Sequence, residues 1–378
     1  MGLIGEVGIA QINKNGEELC GDVVDIIRSS DDTVVVLSDG LGSGVKANIL
    51  ANLTAKIASQ MISQDIPVED VVNTLVATLP TCKTRGIAYS TFSILRLYTN
   101  GIVYLVDFDG CPMVRINDDG LELVATSPTD MGGRTINEAS FRMNAGETLI
   151  IVSDGVTQAG LGDLFPLGLG AEGLIDTLER YVDLEDSVQT IANRVVNICK
   201  SYYQGEPGDD TTCVVMRLKE ESRAVLMTGP PASPSDDTRM VRRFLSADGI
   251  HIIAGGTTAQ IFCREAGRDL HSDFTYVSDT IPPISRIAGV DLTTEGVITL
   301  SEVRRLLETH ELPAAEDGAS LMLQYLLDAD RITILQGCAE NPAMKEGQVV
   351  SLDLRDVVVE KLVKALRGMG KIVEVEQF

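Results

Sequence analysis

The sequence predicts an α+β chain in two parts: a strand-rich, antiparallel-looking region over residues 1–219 and a smaller α/β domain over 223–378. Three observations carry this reading. Short apolar runs joined by polar turns crowd the first part; Ala88–Leu97 and Ile102–Asp107 meet through Tyr98-Thr99-Asn100-Gly101, and Asn-Gly between apolar runs is the strongest short-range hairpin signal. The texture changes at Lys219-Glu220-Glu221-Ser222. Beyond that point strand, turn and helix alternate in the rhythm of a parallel layer.

Taken in order, Glu6–Ile12, Gly21–Ile27 and Val34–Leu37 read as strands, the first closed by the polar turn Asn13-Lys14-Asn15-Gly16. Val34-Val35-Val36-Leu37 is apolar on both faces and too short for a helix, the pattern of a buried strand. The chain then breaks at Ser38-Asp39-Gly40, passes Gly42 and Gly44, and resumes with Ala47, Leu50, Leu53, Ile57 and Met61 on one side of a helix. Pro67–Leu79 predicts a second amphipathic helix. Further strands are expected near Met113–Ile116, Leu121–Val124, Ser140–Met143 and Thr148–Val152, then a helix over Ser187–Tyr202 and a strand over Cys213–Leu218.

In the second part Ala224–Thr228, Gly249–Ala254 and Arg331–Leu335 read as strands, with Lys371–Glu376 as an edge strand. Helices are expected over Thr238–Ser246, from Ala259, and over Ser301–Thr309, Ala319–Leu327 and Val357–Leu366. This is the alternation of a small Rossmann-like domain with a regulatory or docking role.

Composition narrows the function. With 44% hydrophobic residues but only 4% aromatic and no Trp, the cores must be built from Val, Ile, Leu and Ala. A formal net charge of -24 argues against nucleic acid as a partner. No apolar run approaches the roughly 18–20 residues of a membrane span. The N-terminal residues lack the basic and apolar regions of a signal peptide, and Glu6 at the sixth position argues against myristoylation. Seven cysteines without a CxxC pair fit a reducing, cytoplasmic setting. The three histidines, His251, His271 and His310, all lie in the last third, so no Ser-His-Asp triad or histidine zinc site exists before them.

The stretch around Asp39 excludes two phosphate loops by spacing. Val45 follows Gly44 where a Walker A motif needs lysine, and Gly40-x-Gly42-x-Gly44 is one residue short of the dinucleotide fingerprint. Two readings remain there: a metal-binding turn using the Asp39 carboxylate and the Gly40 carbonyl, or a tight strand-to-helix turn with Asp39 capping the helix. A second apolar strand also ends in Ser-Asp-Gly, at Ser153-Asp154-Gly155, and Gly208-Asp209-Asp210-Thr211-Thr212 runs into a third. With Asp22, four acidic points thus lie at strand ends. Converging carboxylates repel unless a cation joins them, and oxygen ligands without His or Cys select Mg²⁺ or Mn²⁺. Two such ions about 3.5–4 Å apart serve in-line phosphoryl displacement by water. No base accompanies Ser38 or Ser153, so neither reads as a nucleophile.

On these residues the chain resembles the metal-dependent protein phosphatases of the PP2C type, in their bacterial SpoIIE-like branch. The resemblance covers about residues 1–219 and rests on Gly21-Asp22, LSDGLGSGVKA (37–47), DGCPMVRI (109–116), AGETLIIVSDGVTQAG (145–160) and GDDTTCVVMRL (208–218). It implies an αββα sandwich of two antiparallel sheets and hydrolysis of phosphoserine or phosphothreonine with two Mn²⁺ or Mg²⁺ ions. It further implies that Asp39 bridges the ions, that the Gly40 carbonyl and Asp154 bind them, that Asp209 with Asp210 completes the set, and that Asp22 orients the attacking water. The family's phosphate-binding arginine has no clear counterpart; Lys14 is the nearest basic residue. The histidine general acid of some members is replaced by Gly42. The resemblance suggests a phosphoprotein partner, an anti-sigma-factor antagonist-like regulator, in bacterial signal transduction.

Lys46 is a candidate phosphate contact, with a solvated helix face as the simpler reading. Gly255-Gly256-Thr257-Thr258 could bind an anion through backbone N–H groups at a helix start, though a tight turn with a Thr cap is simpler. His251 reads as a core residue, and Asp291 and Glu295 as loop acids without a clear partner. The competing functional reading is a metal-binding pseudophosphatase that senses phosphoproteins or nucleotides through the C-terminal domain.

Overall fold

The computed structural model describes residues 2–78, 90–108, 110–131, 134–273, 281–311, 313, 316–339 and 352–378. Asp109, Leu79 and the start of the expected Ala88–Leu97 strand lie outside them. The chain divides into two units, Met1–Glu220 and Glu221–Phe378.

In the first unit, one antiparallel sheet runs β1 (Leu3–Ile12), β11 (Thr211–Glu220), β10 (Thr148–Val152), β6 (Met113–Asn117), β7 (Gly120–Leu123). The other runs β2 (Asp22–Arg28), β3 (Asp32–Gly40), β4 (Ser90–Tyr98), β5 (Ile102–Phe108), β9 (Arg134–Arg142), β8 (Ser127–Met131). The unbroken apolar runs have a plain cause: both faces of both sheets are covered. In β3, Val34 and Val36 pack under α1 (Gly44–Ser63) and α2 (Val68–Thr78), while Val35 and Leu37 face the other sheet. In β10, Leu149 and Ile151 meet them there, and Ile150 and Val152 pack under α4 (Gly170–Tyr181) and α5 (Val188–Tyr202). The result is a helix–sheet–sheet–helix sandwich.

The start of α1 bears on the capping reading of the Asp39 turn. Ser43, not Asp39, occupies the N-cap position; its Oγ makes no capping bond and instead donates to Glu17 Oε1 at 2.8 Å. Gly44 has φ +69°, a conformation L residues rarely adopt.

The second unit is a seven-stranded sheet in the order β14 (Leu270–Asp273), β15 (Ile284–Ile287), β16 (Leu292–Thr294), β13 (Ile250–Ala254), β12 (Arg223–Thr228), β17 (Arg331–Gln336), β18 (Ile372–Gln377). From β16 to β18 all pairs are parallel; β14 and β15 add an antiparallel margin. Helices α6 (Asp237–Leu245) and α7 (Gly256–Ala266) cover one face, and α8 (Val297–Thr309), α9 (Gly318–Asp328) and α10 (Leu352–Gly368) the other. This is a doubly wound layer. His251 packs edge-on to Phe244 with centroids 4.9 Å apart. The two loop acids do have partners: Asp291 Oδ2 accepts His251 N–H at 2.7 Å, and Glu295 Oε2 accepts Ile298 N–H at 3.0 Å in the first turn of α8.

Candidate metal centre

Register places the first two carboxylates. In the β2–β3 ladder Asp22 is the direct partner of Asp39, and Gly40 N–H donates to Gly21 O at 3.2 Å. The other sheet brings the rest. Ser153 N–H donates to Thr212 O at 3.0 Å, and Thr212 N–H returns a bond to Ser153 Oγ at 2.9 Å. This pins the end of β10 to the start of β11, with Asp154 on one side and Asp209-Asp210 on the other. A cavity of about 60 Å³ between the sheets is lined by Asp39, Asp154, Cys111 and Ser93 among others.

The five carboxylates feel one another. Burial pushes the Asp39 carboxyl up to about 9, helped by repulsion from Asp22, Asp154 and Asp209. Burial likewise raises Asp22 to about 7 against the opposing hydrogen bond from Thr212, with Asp210 and Asp154 adding repulsion. Asp154 is raised by burial and then by Asp209. Asp39 and Asp154 lie close enough for each to shift the other's protonation. Thr212 Oγ1 donates to Asp22 Oδ2 at 2.7 Å and accepts from Gln11 Nε2 at 3.0 Å. Asp210 Oδ1 accepts Lys14 N–H at 3.0 Å. Lys14 Nζ stands 3.5 Å from Asp209 Oδ1.

Two oxygens bear on whether cations fit. Among the described residues Asp22 Oδ1 and Asp210 Oδ2 are buried and without a hydrogen-bond partner, an arrangement that costs stability unless something meets them. Oxygen donors alone, mutually repelling and part-orphaned, match hard divalent ions. Among the described residues no three His, Cys, Asp or Glu side chains already stand in a closed metal-binding arrangement. The carboxylates converge closely enough to raise one another's proton affinity without forming a closed ligand shell.

The sequence candidates divide accordingly. Asp22, Asp39, Gly40, Asp154, Asp209 and Asp210 come together at strand ends of the two sheets. Lys46 is exposed in the first turn of α1 and, among the described residues, makes no ion pair with the cluster. Gly255–Thr258 belongs to the second unit, where Gly255 N–H donates to Thr294 O at 3.0 Å and Gly256 and Thr257 are exposed at the start of α7. Sequence reasoning missed Gln158, whose Nε2 donates to Asp154 Oδ2 at 2.7 Å. The four-residue spacing from Asp154 was the available signal. It also missed Tyr203, whose hydroxyl donates to Gly155 O at 2.7 Å.

Residues 29–219, just over half of the chain, match the family model described as Stage II sporulation protein E (SpoIIE). The chain belongs to the SpoIIE family. Its fold recurs in a solved structure of the PP2C phosphatase domain and part of the regulatory domain of SpoIIE from Bacillus subtilis, at 20% identity and a TM-score of 0.51. That match covers 58% of this chain and 65% of the other, less than two thirds of its length. A second crystal form of the Bacillus subtilis phosphatase domain aligns at 19% identity and a TM-score of 0.47, over 58% of this chain and 95% of that one. No curated protein matches the chain. The SpoIIE-family unit therefore has the fold of metal-dependent Ser/Thr protein phosphatases, and among the described residues no helix is long and apolar enough to cross a membrane.

Proposed function

We propose that the SpoIIE-family unit hydrolyses phosphoserine or phosphothreonine in a regulatory phosphoprotein with the help of two Mn²⁺ or Mg²⁺ ions. The observation that supports this most directly is the convergence of five carboxylates, two of them carrying buried oxygens without a partner. Asp39, the Gly40 carbonyl, Asp154 and Asp209 would hold the ions, with Asp210 beside them. When bound, such ions lower the pKa of an attacking water and neutralise charge on the phosphoryl oxygens.

The chain's own groups account for the remaining needs. Asp22, fixed through Oδ2 by Thr212, has Oδ1 available to orient the water. Lys14, held only loosely by Asp209 at 3.5 Å, is the cation in reach of an incoming phosphate. Protein hydroxyls are otherwise engaged: Ser38 Oγ lies 2.6 Å from Ser90 Oγ, and Ser153 Oγ accepts from Thr212. With no histidine in residues 1–220, water rather than a side chain is the nucleophile. An anti-sigma-factor antagonist-like protein is the substrate class this family suggests.

The test is turnover of an aryl phosphate and a phosphoserine peptide, with Mn²⁺ or with chelator, in the parent and Asp39→Asn chains. Cation-dependent turnover lost in the variant is expected. Turnover that survives both treatments would overturn the proposal, and cation binding without turnover would mark a pseudophosphatase.

A further inference from the structure

The second unit carries a guanidinium, that of Arg355, with one edge unmet among the described residues. Its parallel strands run β16-β13-β12-β17-β18, so in chain order the first strand, β12, lies in the middle. The connections leaving β12 wind one way through α6 and α7, and those leading to β17 and β18 wind the other way through α8, α9 and α10. The chain direction therefore reverses between β12 and β17. In open α/β sheets ligands bind at such a reversal, outside the carboxyl ends of the strands.

At that place the two loops touch. A Cβ on Gly337, just after β17, would lie 2.2 Å from Pro230 O, and one on Gly229, just after β12, would lie 2.3 Å from Arg355 Nη1. Only glycines let the two backbones and the guanidinium come this close. Arg355 reaches the spot from the first turns of α10, with its side chain 13% exposed. Among the described residues its Nε and Nη2 are fully buried and donate to nothing. The carboxylate paired with it among those residues is Asp356, whose Oδ1 lies 3.6 Å from Nε, too far for a hydrogen bond. That oxygen already accepts Gln336 Nε2 at 2.9 Å.

Nε–H and Nη2–H together form one edge of the planar fork, the edge that grips two oxygens of a phosphate or carboxylate. A buried charge with this edge unmet destabilises the protein, and such a group calls for an explanation in function. Hydroxyls of Ser233 and Ser235 stand on the loop that follows β12, 2.9 Å from each other.

We infer that the crevice between the ends of β12 and β17 binds a phosphate-bearing small molecule, gripped by the Nε/Nη2 edge of Arg355. The site is distinct from the Gly255–Thr258 turn that the sequence offered for an anion, where no side chain carries positive charge. It belongs to the second unit and does not depend on the phosphatase reading.

Thermal unfolding and calorimetric titration of the full chain in chelator, which keeps phosphate from binding through cations at the aspartates, test it. The probes are inorganic phosphate, AMP and succinate, against the parent, Arg355→Gln and Arg355→Lys chains. Phosphate or AMP should raise the melting temperature of the parent. Affinity should fall at least tenfold in Arg355→Gln and less in Arg355→Lys, which keeps the charge but loses the fork. Ligand-free Arg355→Gln should melt no lower than the parent, since a buried charge with an unmet hydrogen-bonding edge has gone, and its Mn²⁺-dependent aryl phosphate turnover should be unchanged. AMP binding more tightly than phosphate assigns a nucleotide; equal affinities assign free phosphate. No binding of either, binding of succinate alone, or unaltered affinity in Arg355→Gln would overturn the inference. Should Arg355→Gln fail to fold, Arg355→Lys with undiminished phosphate affinity would overturn it equally.

Discussion

Asp22 and Asp39 sit directly opposite one another on adjacent antiparallel strands, a position where like charges destabilise a sheet. Removing one charge should therefore separate stability from activity. Asp39→Asn is expected to lower cation-dependent turnover by roughly 10²–10⁴-fold, the scale of losing several kcal/mol of charge stabilisation. In chelator at a pH above 9, where the Asp39 carboxyl is ionised, the same variant should melt about 2–4 °C higher, the shift that one kcal/mol of relieved repulsion gives in a unit of this size. Melting curves and initial rates on one preparation check both halves.

The pH dependence follows from the same pair. Burial, with help from neighbouring carboxylates, pushes Asp22 up to about 7 and Asp39 up to about 9 from an ordinary 3.8. A group whose folded value is raised favours the fold while protonated. That contribution is complete below 3.8 and is lost as pH rises toward 7 for Asp22 and 9 for Asp39. In chelator the first unit should therefore lose stability between about pH 4 and 9. Saturating Mn²⁺ or Mg²⁺ should flatten that slope, because ions replace protons as the neutralising charge. Melting temperatures measured across pH in chelator and in excess cation check the sign.

The aspartates were legible because each follows or precedes an unbroken apolar run, and a carboxylate at the end of a buried strand stands out. Their partners were not. Gln158 looks like any polar residue in a short helical turn, and Thr212 hydrogen-bonds Asp22 only through the fold. Arg355 falls two residues before the helix that the sequence predicts over Val357–Leu366, although α10 begins at Leu352. Among the elements, α4 was hidden behind the glycines at 160, 162, 168 and 170, which read as loop. Strands of three to five residues such as β8, β14, β15 and β16 are too short to show a period. Tertiary pairing, not local propensity, makes them strands.

Gln158 positions Asp154 through the 2.7 Å bond to Oδ2. Partners that orient metal ligands typically govern affinity for the ion rather than the chemistry, and their loss costs about 10–100-fold in affinity or activity. Gln158→Leu is expected to raise the Mn²⁺ concentration needed for half-maximal rate by about that factor. The rate at saturating Mn²⁺ should fall far less. An activity titration with Mn²⁺ separates the two effects.

Among the described residues, Lys14 makes the one ion pair with the cluster, at 3.5 Å from Asp209. With its side chain 36% exposed it is free to turn toward an arriving dianion. Lys14→Met should raise KM for a phosphoserine peptide several-fold, with a smaller change in kcat. That is the pattern of an interaction made alike in the bound and transition states. Raising ionic strength should mimic the substitution in the parent and have less effect in the variant, because exposed charges are screened by salt.

Gly40 joins the strand carrying Asp39 to the helix above it. A Cβ there would fall 2.2 Å from Ala47 O and 2.7 Å from its carbonyl carbon, both backbone atoms of α1 that cannot rotate aside. Gly40→Ala must then lift α1 or bend the end of β3, at a cost of about 1–3 kcal/mol for overpacking. Since Asp39 is the adjacent residue, the same shift moves its carboxyl relative to Asp154, and turnover should drop by more than the loss of folded protein explains. Gly256→Ala is the matched control, because no atom of the described residues lies within 4 Å of a Cβ at that position. At the start of α7 it should leave turnover unchanged and raise stability by up to about 1 kcal/mol, the helix preference of Ala over Gly. Equal losses of folded fraction and of rate in Gly40→Ala would show that the close contact serves stability alone and does not place Asp39.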